Sequence, residues 1–389
     1  MQQFADRFEG VTGSEIRKIF SLLSDPEIIS FAGGNPAPDA FPSEELAGIS
    51  SELIRKNGAH VLQYGATPGI GKFISYLKQE NAGIMQDYDD IIIISGSTQG
   101  IELFARSMLN EGDTIVVESP TFLGALQTFK LARADVKTVD MQDDGPDIAQ
   151  LEDVIKKHNP KFFYMIPTFQ NPSGITATEE KRKAVYDLCC RHGVMILEDD
   201  PYALLRYEGQ PVRSVKSYDD QGIVCRLNSY SKTISPGLRV GYAIAHKDVI
   251  AKFNLLKQGQ DVCTSVLNQS MVLAFLQSGQ YMEHVQGLCV KYKEKRDRMM
   301  RAADKYFPAE VMRTHPQGGL FIWVTLPQGM DSRKLFEESV RQKVAFVPGS
   351  PFFADGGHEN TLRLNFSMPA VADIETGIER LGRIIREYD

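Results

Sequence analysis

This chain of 389 residues spends little of its sequence on cross-links or metal ligands. Its five cysteines form no framework: Cys189 and Cys190 are adjacent, and Cys225, Cys263 and Cys289 stand apart. The implication is reduced, structural thiols and a cytoplasmic address. The histidines are scattered, with no HExxH and no Cys/His ligand spacing, so no metal is expected. No apolar run approaches the ~18 residues of a membrane span; the longest runs, such as IIII at 91–94, are strand-sized. The opening MQQFADRFEG lacks the basic and apolar regions of a secretory signal. A net charge of -7 is modest at this length and argues against a surface for polyanions, so no nucleic-acid partner is expected. Repeats and low-complexity segments are absent.

What is present is ordinary globular material, long enough for two domains and a large core. The middle of the chain alternates β-rich runs with helical stretches. IIIIS (91–95), TIVVE (114–118), KFFYM (161–165), VMILE (194–198), 223–228 and 240–245 read as strands. Helical spacing covers 99–109, 122–131 and 178–191. Apolar strands alternating with helices give an α/β architecture, a mostly parallel sheet covered on both faces. After about residue 252 the pattern changes to a long helical region, 262–306. Its charged stretch KYKEKRDRMMR (291–301) reads as the solvated face of a connecting helix, because Glu294 and Asp297 break the positive run. Three further strand-like runs, 318–324, 344–347 and 361–366, and a last helix over 371–388 suggest a smaller α+β unit. Residues 1–42 look like an arm: an amphipathic helix at 14–23, then FAGGNPAPDAFP (31–42), a linker or a loop laid over a site. The expected division is therefore an arm at 1–42, a large domain at 43–287 and a small domain at 288–389.

Four strand ends carry polar residues. SGSTQG (95–100) opens a helix, where free N–H groups and small hydroxyls suit an anion; it equally suits an N-cap and tight turn without ligand. It is not GxGxxG, so no dinucleotide fingerprint is present. ATPGIGKF (66–73) fails as a P-loop, with Ala66 where Gly is needed and Phe73 in place of the Ser/Thr that holds Mg²⁺. SYSK (229–232) is followed by GLRVG (237–241). Lys232 thus follows a buried strand, where an ammonium is costly unless paired or chemically used. Ser229, Ser231 and Arg239 offer donors for a phosphate. EDDPY (198–202) puts carboxylates just outside a strand end, where ligands of open α/β sheets bind. NPSG (171–174) puts an amide beyond another. Each of the last two alone is also a turn residue bonding its own backbone. Together with Phe122 they offer an anion cradle, an aromatic face, an amide, a carboxylate and a lysine. Those are the demands of pyridoxal phosphate (PLP) for its phosphate, ring, O3′, pyridine nitrogen and aldehyde.

With FAGGNPAPDAFP, LQYGATPG and TLRLNFS, these motifs occur in the order in which they stand in the fold-type I PLP enzymes, which the chain resembles over nearly its whole length. It is similar above all to the class I/II aminotransferases of the aminoadipate and kynurenine aminotransferase branch. That resemblance implies a large domain with a mostly parallel seven-stranded sheet flanked by helices, a smaller α+β domain, and a homodimer with shared sites. It implies transfer of an amino group between an L-amino acid and a 2-oxo acid. Glutamate/2-oxoglutarate would be one pair, and an aminoadipate, aromatic or branched-chain amino acid the other partner. A PLP-dependent β-lyase shares the lysine and aspartate. A regulator-type PLP sensor would carry a DNA-binding domain ahead of the PLP domain, and too few residues precede FAGG for one.

Residue by residue, the resemblance makes Lys232 the Schiff-base lysine and the base between Cα and C4′. Asp199 faces the pyridine nitrogen, Asn171 and Tyr202 face O3′, and Phe122 stacks on the ring. Ser97, Thr98, Ser229, Ser231 and Arg239 hold the phosphate; Thr98 stands where related sequences often carry Gln. Tyr64 reaches the phosphate of the neighbouring subunit. Arg363 clamps the substrate α-carboxylate, beside Gly34 and Asn171. Arg17, on the arm, either reads an acidic side chain or is a solvated helix residue. An aromatic pocket would instead use Phe20, Phe31 or Tyr64 as walls.

Overall fold

The computed structural model describes residues 4–8, 11, 25 and 27–388. The helix expected at 14–23, with Arg17 and Phe20, lies outside the described residues.

A short strand β1 (Ile29–Ser30) precedes the strands of the main sheet. These are β2 (Asp89–Ile94), β3 (Thr114–Ser119), β4 (Asp135–Gln142), β5 (Gly145–Pro146), β6 (Phe162–Met165), β7 (Met195–Asp199), β8 (Val224–Ser229) and β9 (Gly241–His246). Their order across the sheet is β2-β9-β8-β7-β6-β3-β4-β5. Neighbours from β8 to β4 pair in parallel, while β9 runs antiparallel to both β2 and β8. Seven full strands thus form the sheet, and the two-residue β5 adds an antiparallel hem at its edge. Ile91, Ile92, Ile93 and Ile94 are all buried, as a strand covered on both faces requires. β4 was not foreseen: DVKTVDMQ has no apolar run, because it lies near the edge and buries only Val139 fully.

Helices cross over between the parallel strands. Glu179–His192 shows how local chemistry sets one of them. Thr178 caps its start by accepting from the Lys181 N–H, and Gly193 ends it in the left-handed conformation. The helix after β2 is Ser97–Met108, starting two residues earlier than its hydrophobic spacing suggests. Ser97 and Thr98 therefore occupy its first turn, where N–H groups lack partners within the helix.

The second sheet is built from β10 (Met312–Arg313), β11 (Phe321–Thr325), β13 (Val347–Pro348) and β14 (Thr361–Asn365), in the order β10-β11-β14-β13 and antiparallel throughout. Before β13, β12 (Val344–Ala345) pairs in parallel with β1. The chain then runs on along this sheet: Phe31 N–H donates to Ala345 O at 2.7 Å and Asn365 N–H donates to Phe31 O at 2.8 Å. The stretch after residue 31 is thereby laid beside β14. The helix Tyr281–Tyr306 is continuous through 287–288, the position expected to divide the domains. Its charged stretch buries Tyr292, Lys295, Arg296 and Met299. Several of its charges are paired, among them Lys293 with Asp297 at 2.7 Å and Arg296 with Glu208 at 2.6 Å. No helix among the described residues is long and apolar enough to cross a membrane.

Candidate active site

The site forms where the main sheet's strands end. After β2 the chain turns through Gly96 at φ 87, a left-handed conformation. Space demands glycine as well, since a Cβ here would stand 2.4 Å from Arg239 Nη2. That guanidinium lies over the turn: Nη2 donates to Ser95 O at 2.9 Å, and Nη1 reaches Ser231 Oγ at 3.4 Å. Ser231 is held in turn by Ser229, whose Oγ accepts from Ser231 N–H at 3.2 Å and donates to Ser231 Oγ at 2.9 Å. Free amides of the Ser97–Met108 helix, two hydroxyls and a guanidinium thus make an anion cradle.

A buried strut supports that cradle. Lys257 has a fully buried side chain; its Nζ donates to both Asp261 oxygens at 2.7 Å and to Gln99 Oε1 at 3.1 Å. Asp261 Oδ2 also accepts from Ser95 Oγ at 3.0 Å and Gln99 Nε2 at 2.8 Å. The helix start and the turn before it are therefore fixed from below. In sequence, Lys257 and Asp261 look like an ordinary surface pair at i,i+4, and nothing local signals that the Lys257 side chain is buried while Asp261 is only partly exposed.

Asp199 ends β7 and is 3% exposed. Its Oδ2 accepts from the Tyr164 hydroxyl at 3.0 Å, while Oδ1 is buried without a partner. Burial pushes this carboxyl up to about 7; Tyr164, Ser97 and Lys232 act in the opposite sense. Tyr164 escaped the sequence reading because it sits in the apolar run KFFYM, where it passes as a core residue.

Lys232 follows β8 and is half-buried, its Nζ donating to Gly34 O at 2.8 Å and lying 5.9 Å from the centre of the Tyr202 ring. Loss of solvent, then the positive charges of Arg363 and Arg239, lower its pKa to about 8, against the pull of Asp199. Burial pushes the Tyr202 phenol up, with Arg363 and the Asn171 side chain opposing.

Arg363, on β14, is buried and held in place. Nη1 donates to Asn171 Oδ1 at 2.9 Å and Nη2 to Ala32 O at 3.0 Å. Its plane lies 4.2 Å from the ring centre of Phe321 and 5.2 Å from that of Phe352, and Nε has no partner. Burial lowers its pKa to about 10. A Cβ on Gly34 would stand 3.6 Å from the Phe321 ring and 3.9 Å from Arg363 Nη2, so this loop runs close against the guanidinium. Phe321 and Phe352, also missed in sequence, are apolar strand and turn residues there and gain meaning only from Arg363.

The structure therefore brings Lys232, Asp199, Asn171, Tyr202, Arg363 and Gly34 together, next to the cradle of Ser97, Thr98, Ser229, Ser231 and Arg239. Phe122 stands at the start of the helix Leu123–Leu131, its ring folded over Gly124, where a Cβ would come within 2.6 Å. Tyr64 is 80% exposed and not part of the buried group. Phe31 is no pocket wall: it is fully buried and packs on Gly377, where a Cβ would come within 2.5 Å of its ring.

The orphaned Asp199 oxygen, the cradle closed by Gly96, and an amine of lowered pKa fit one cofactor with a phosphate, a ring nitrogen and an aldehyde. Residues 29–381 match the model of the aminotransferases of class I and II, and the chain belongs to that family. It is a PLP-dependent transaminase that moves an amino group between an amino acid and a 2-oxo acid. Its sequence is 38% identical to aromatic-amino-acid aminotransferase 1 of Thermococcus litoralis, over 99% of this chain and 94% of that protein. It is 37% identical to the 2-aminoadipate transaminase of Thermus thermophilus, over 97% and 94%. Its fold superimposes on the kynurenine aminotransferase of Pyrococcus horikoshii, solved with PMP, with a TM-score of 0.95 at 37% identity, covering 99% of this chain and 97% of that one.

Proposed function

We propose that the protein is a cytoplasmic homodimeric aminotransferase using glutamate/2-oxoglutarate as one pair and an aminoadipate, aromatic or branched-chain amino acid as the other partner. The relatives named for aromatic amino acids, 2-aminoadipate and kynurenine support this range. The observation that carries the reading is that half-buried Lys232 lies within electrostatic reach of both buried Arg363 and buried Asp199: an amine, a carboxylate clamp and an anchoring carboxyl.

Bound there, PLP supplies an aldehyde for the substrate amine and a protonated ring that takes up the electron pair released at Cα. Lys232 would hold the cofactor through its aldehyde, and its amine would serve as the base that takes up the substrate Cα proton. A pKa lowered from 10.5 to about 8 leaves the amine still mostly protonated near pH 7, but makes its neutral, basic form far more accessible than in an ordinary lysine. Asp199, through its unpaired Oδ1, keeps the ring nitrogen protonated. Asn171 and Tyr202 donate to O3′, and Phe122 covers the ring face. Ser97, Thr98, Ser229, Ser231 and Arg239 bind the phosphate, joined by Tyr64 of the second subunit. Arg363 takes the α-carboxylate with Gly34 and Asn171 beside it. Residues 1–42 act as a cover over a large domain at 43–287 and a small domain at 288–389, and Arg17 on that cover reads acidic side chains.

The decisive experiment is a panel of amino acids assayed with 2-oxoglutarate. Glutamate formation from acidic, aromatic or branched-chain donors is the expected result. Steady release of pyruvate and ammonia from cysteine conjugates without any oxo acid would instead make the enzyme a β-lyase. Arg17→Ala should weaken acidic donors selectively; equal loss for all donors removes it as a reader.

A further inference from the structure

Glu118 is a buried carboxyl that the chemistry above does not use. It lies near the end of β3 and is 1% exposed. Its Oε2 accepts from Ile166 N–H at 3.0 Å and from Gln170 Nε2 at 2.9 Å. Gln170, also fully buried, is the hub of the loop that follows β6. Its Nε2 donates a second time to Pro120 O at 2.6 Å, and its Oε1 accepts from Ser173 N–H at 3.0 Å and Ser173 Oγ at 2.6 Å. Its backbone closes the same loop, N–H to Ile175 O at 2.8 Å and carbonyl to Gly174 N–H at 2.6 Å. The next residue is Asn171, whose side chain holds Arg363. An unbroken path of buried hydrogen bonds and one peptide unit thus runs from Glu118 through Gln170 and Asn171 to Arg363.

We infer that Glu118 is a positioning residue for transamination: through Gln170 it fixes the Asn171 amide, and with it the aim of both groups that Asn171 serves, the cofactor O3′ and the guanidinium of Arg363. The inference rests on the roles proposed for Asn171 and Arg363. Glu118 acts as an acceptor and not as a charge. Burial pushes its pKa up to about 8, against the Gln170 and Ile166 hydrogen bonds and with Asp199 adding to the rise, so the carboxyl is mostly neutral near pH 7. A glutamine carbonyl can accept the same two N–H groups.

The test compares holoenzyme variants by two readings that a purely structural residue would not move. One is KM for the amino acid and the oxo acid; the other is the pH midpoint of the bound cofactor's visible absorption change. Glu118→Ala should raise both KM values by about tenfold, the scale of a misplaced hydrogen bond to a charged group. It should also shift the midpoint in the direction given by Asn171→Ala. Glu118→Gln should restore both readings to near wild type. Gln170→Leu, which keeps Glu118 but cuts its link to the loop, should reproduce the Glu118→Ala shifts. Wild-type KM and midpoint in Glu118→Ala or Gln170→Leu, whatever their melting temperatures, would overturn the proposal. So would a Glu118→Gln variant as impaired as Glu118→Ala. A wild-type midpoint in Asn171→Ala would strike the O3′ role of Asn171, a failure separate from that of Glu118.

Discussion

Arg363 Nη1 and Asn171 Oδ1 meet at 2.9 Å although 192 residues separate them in the chain. The bond ties the loop after β6 of the main sheet to β14 of the second sheet. It also uses only one edge of the guanidinium: Nη1 and Nη2 are engaged by Asn171 and Ala32, while Nε is buried and unpaired. A buried cation so arranged is costly unless a ligand answers it.

Replacing that cation should therefore separate binding from folding. Arg363→Lys keeps a charge but loses the planar fork, and a point charge cannot restore two-point recognition. KM for every amino acid and oxo acid should rise by about 10- to 100-fold, the worth of a charge-assisted hydrogen bond or two. Steady-state assays across several donors check this. A rise confined to one donor class would mean that Arg363 reads the side chain and not the α-carboxylate.

The carboxyl of Asp199 leads to a prediction about pH. Its folded pKa of about 7 lies above its usual value of 3.8. Between those values the cofactor-free folded state holds a proton that the unfolded chain has lost, so this group's contribution to stability falls as pH rises, at roughly 1.4 kcal/mol per pH unit. Above pH 7 the full cost is present. Asp199→Asn removes the cost, so the apo variant should melt higher than apo wild type at pH 8, with the gap closing toward pH 4. Cofactor reverses the sign, because the ring nitrogen needs the carboxylate: wild type should bind PLP more tightly as pH rises from 6 to 8, and Asp199→Asn should lose that dependence. Melting curves and cofactor titrations at both pH values give the answer.

Much of this arrangement is legible in sequence because it sits at strand ends. A buried strand is an apolar run, and the polar residue that follows it stands out, as Asp199 and Lys232 do. The missing parts lie where that contrast fails. Tyr164 and Glu118 belong to the strands themselves and pass as filling. Lys257 and Asp261 are spaced as a solvated helix pair, yet Lys257 is fully buried and both reach the start of the Ser97–Met108 helix through Gln99. β4 carries alternating polar residues because one side of it is near the sheet edge, so no apolar run announces it. Phe31 misled in the other direction: next to glycines and prolines it reads as a loop residue, yet the bonds to Ala345 and Asn365 carry it into the core.

Lys232→Ala should separate cofactor binding from chemistry. The phosphate cradle and Asp199 remain, so PLP should still bind, without the visible band that depends on the lysine. Transamination should fall by about 10²–10⁴-fold, the usual contribution of a positioned acid–base group, or more where covalent attachment also matters. Absorbance of the dialysed variant and a single-turnover assay test both halves. Full turnover in this variant would remove Lys232 from the mechanism.

The turn at Gly96 offers a test of the cradle that leaves the ring contacts alone. A methyl group there would stand 2.4 Å from Arg239 Nη2 on a residue at φ 87, so Gly96→Ala must both strain the turn and push the guanidinium aside. Arg239 would then lose its hold on Ser95 O and its approach to Ser231. Since hydrogen bonds to a charged group are worth roughly 1.5–3 kcal/mol, the Kd for PLP should rise by about 10- to 100-fold. Pyridoxal, which has the ring and aldehyde but no phosphate, should bind wild type and variant within about twofold of each other, since the contacts it uses are unchanged. Parallel titrations of the two apoproteins with both compounds make the comparison. Equal losses for PLP and pyridoxal would show that Gly96 supports the whole pocket and not the phosphate cradle.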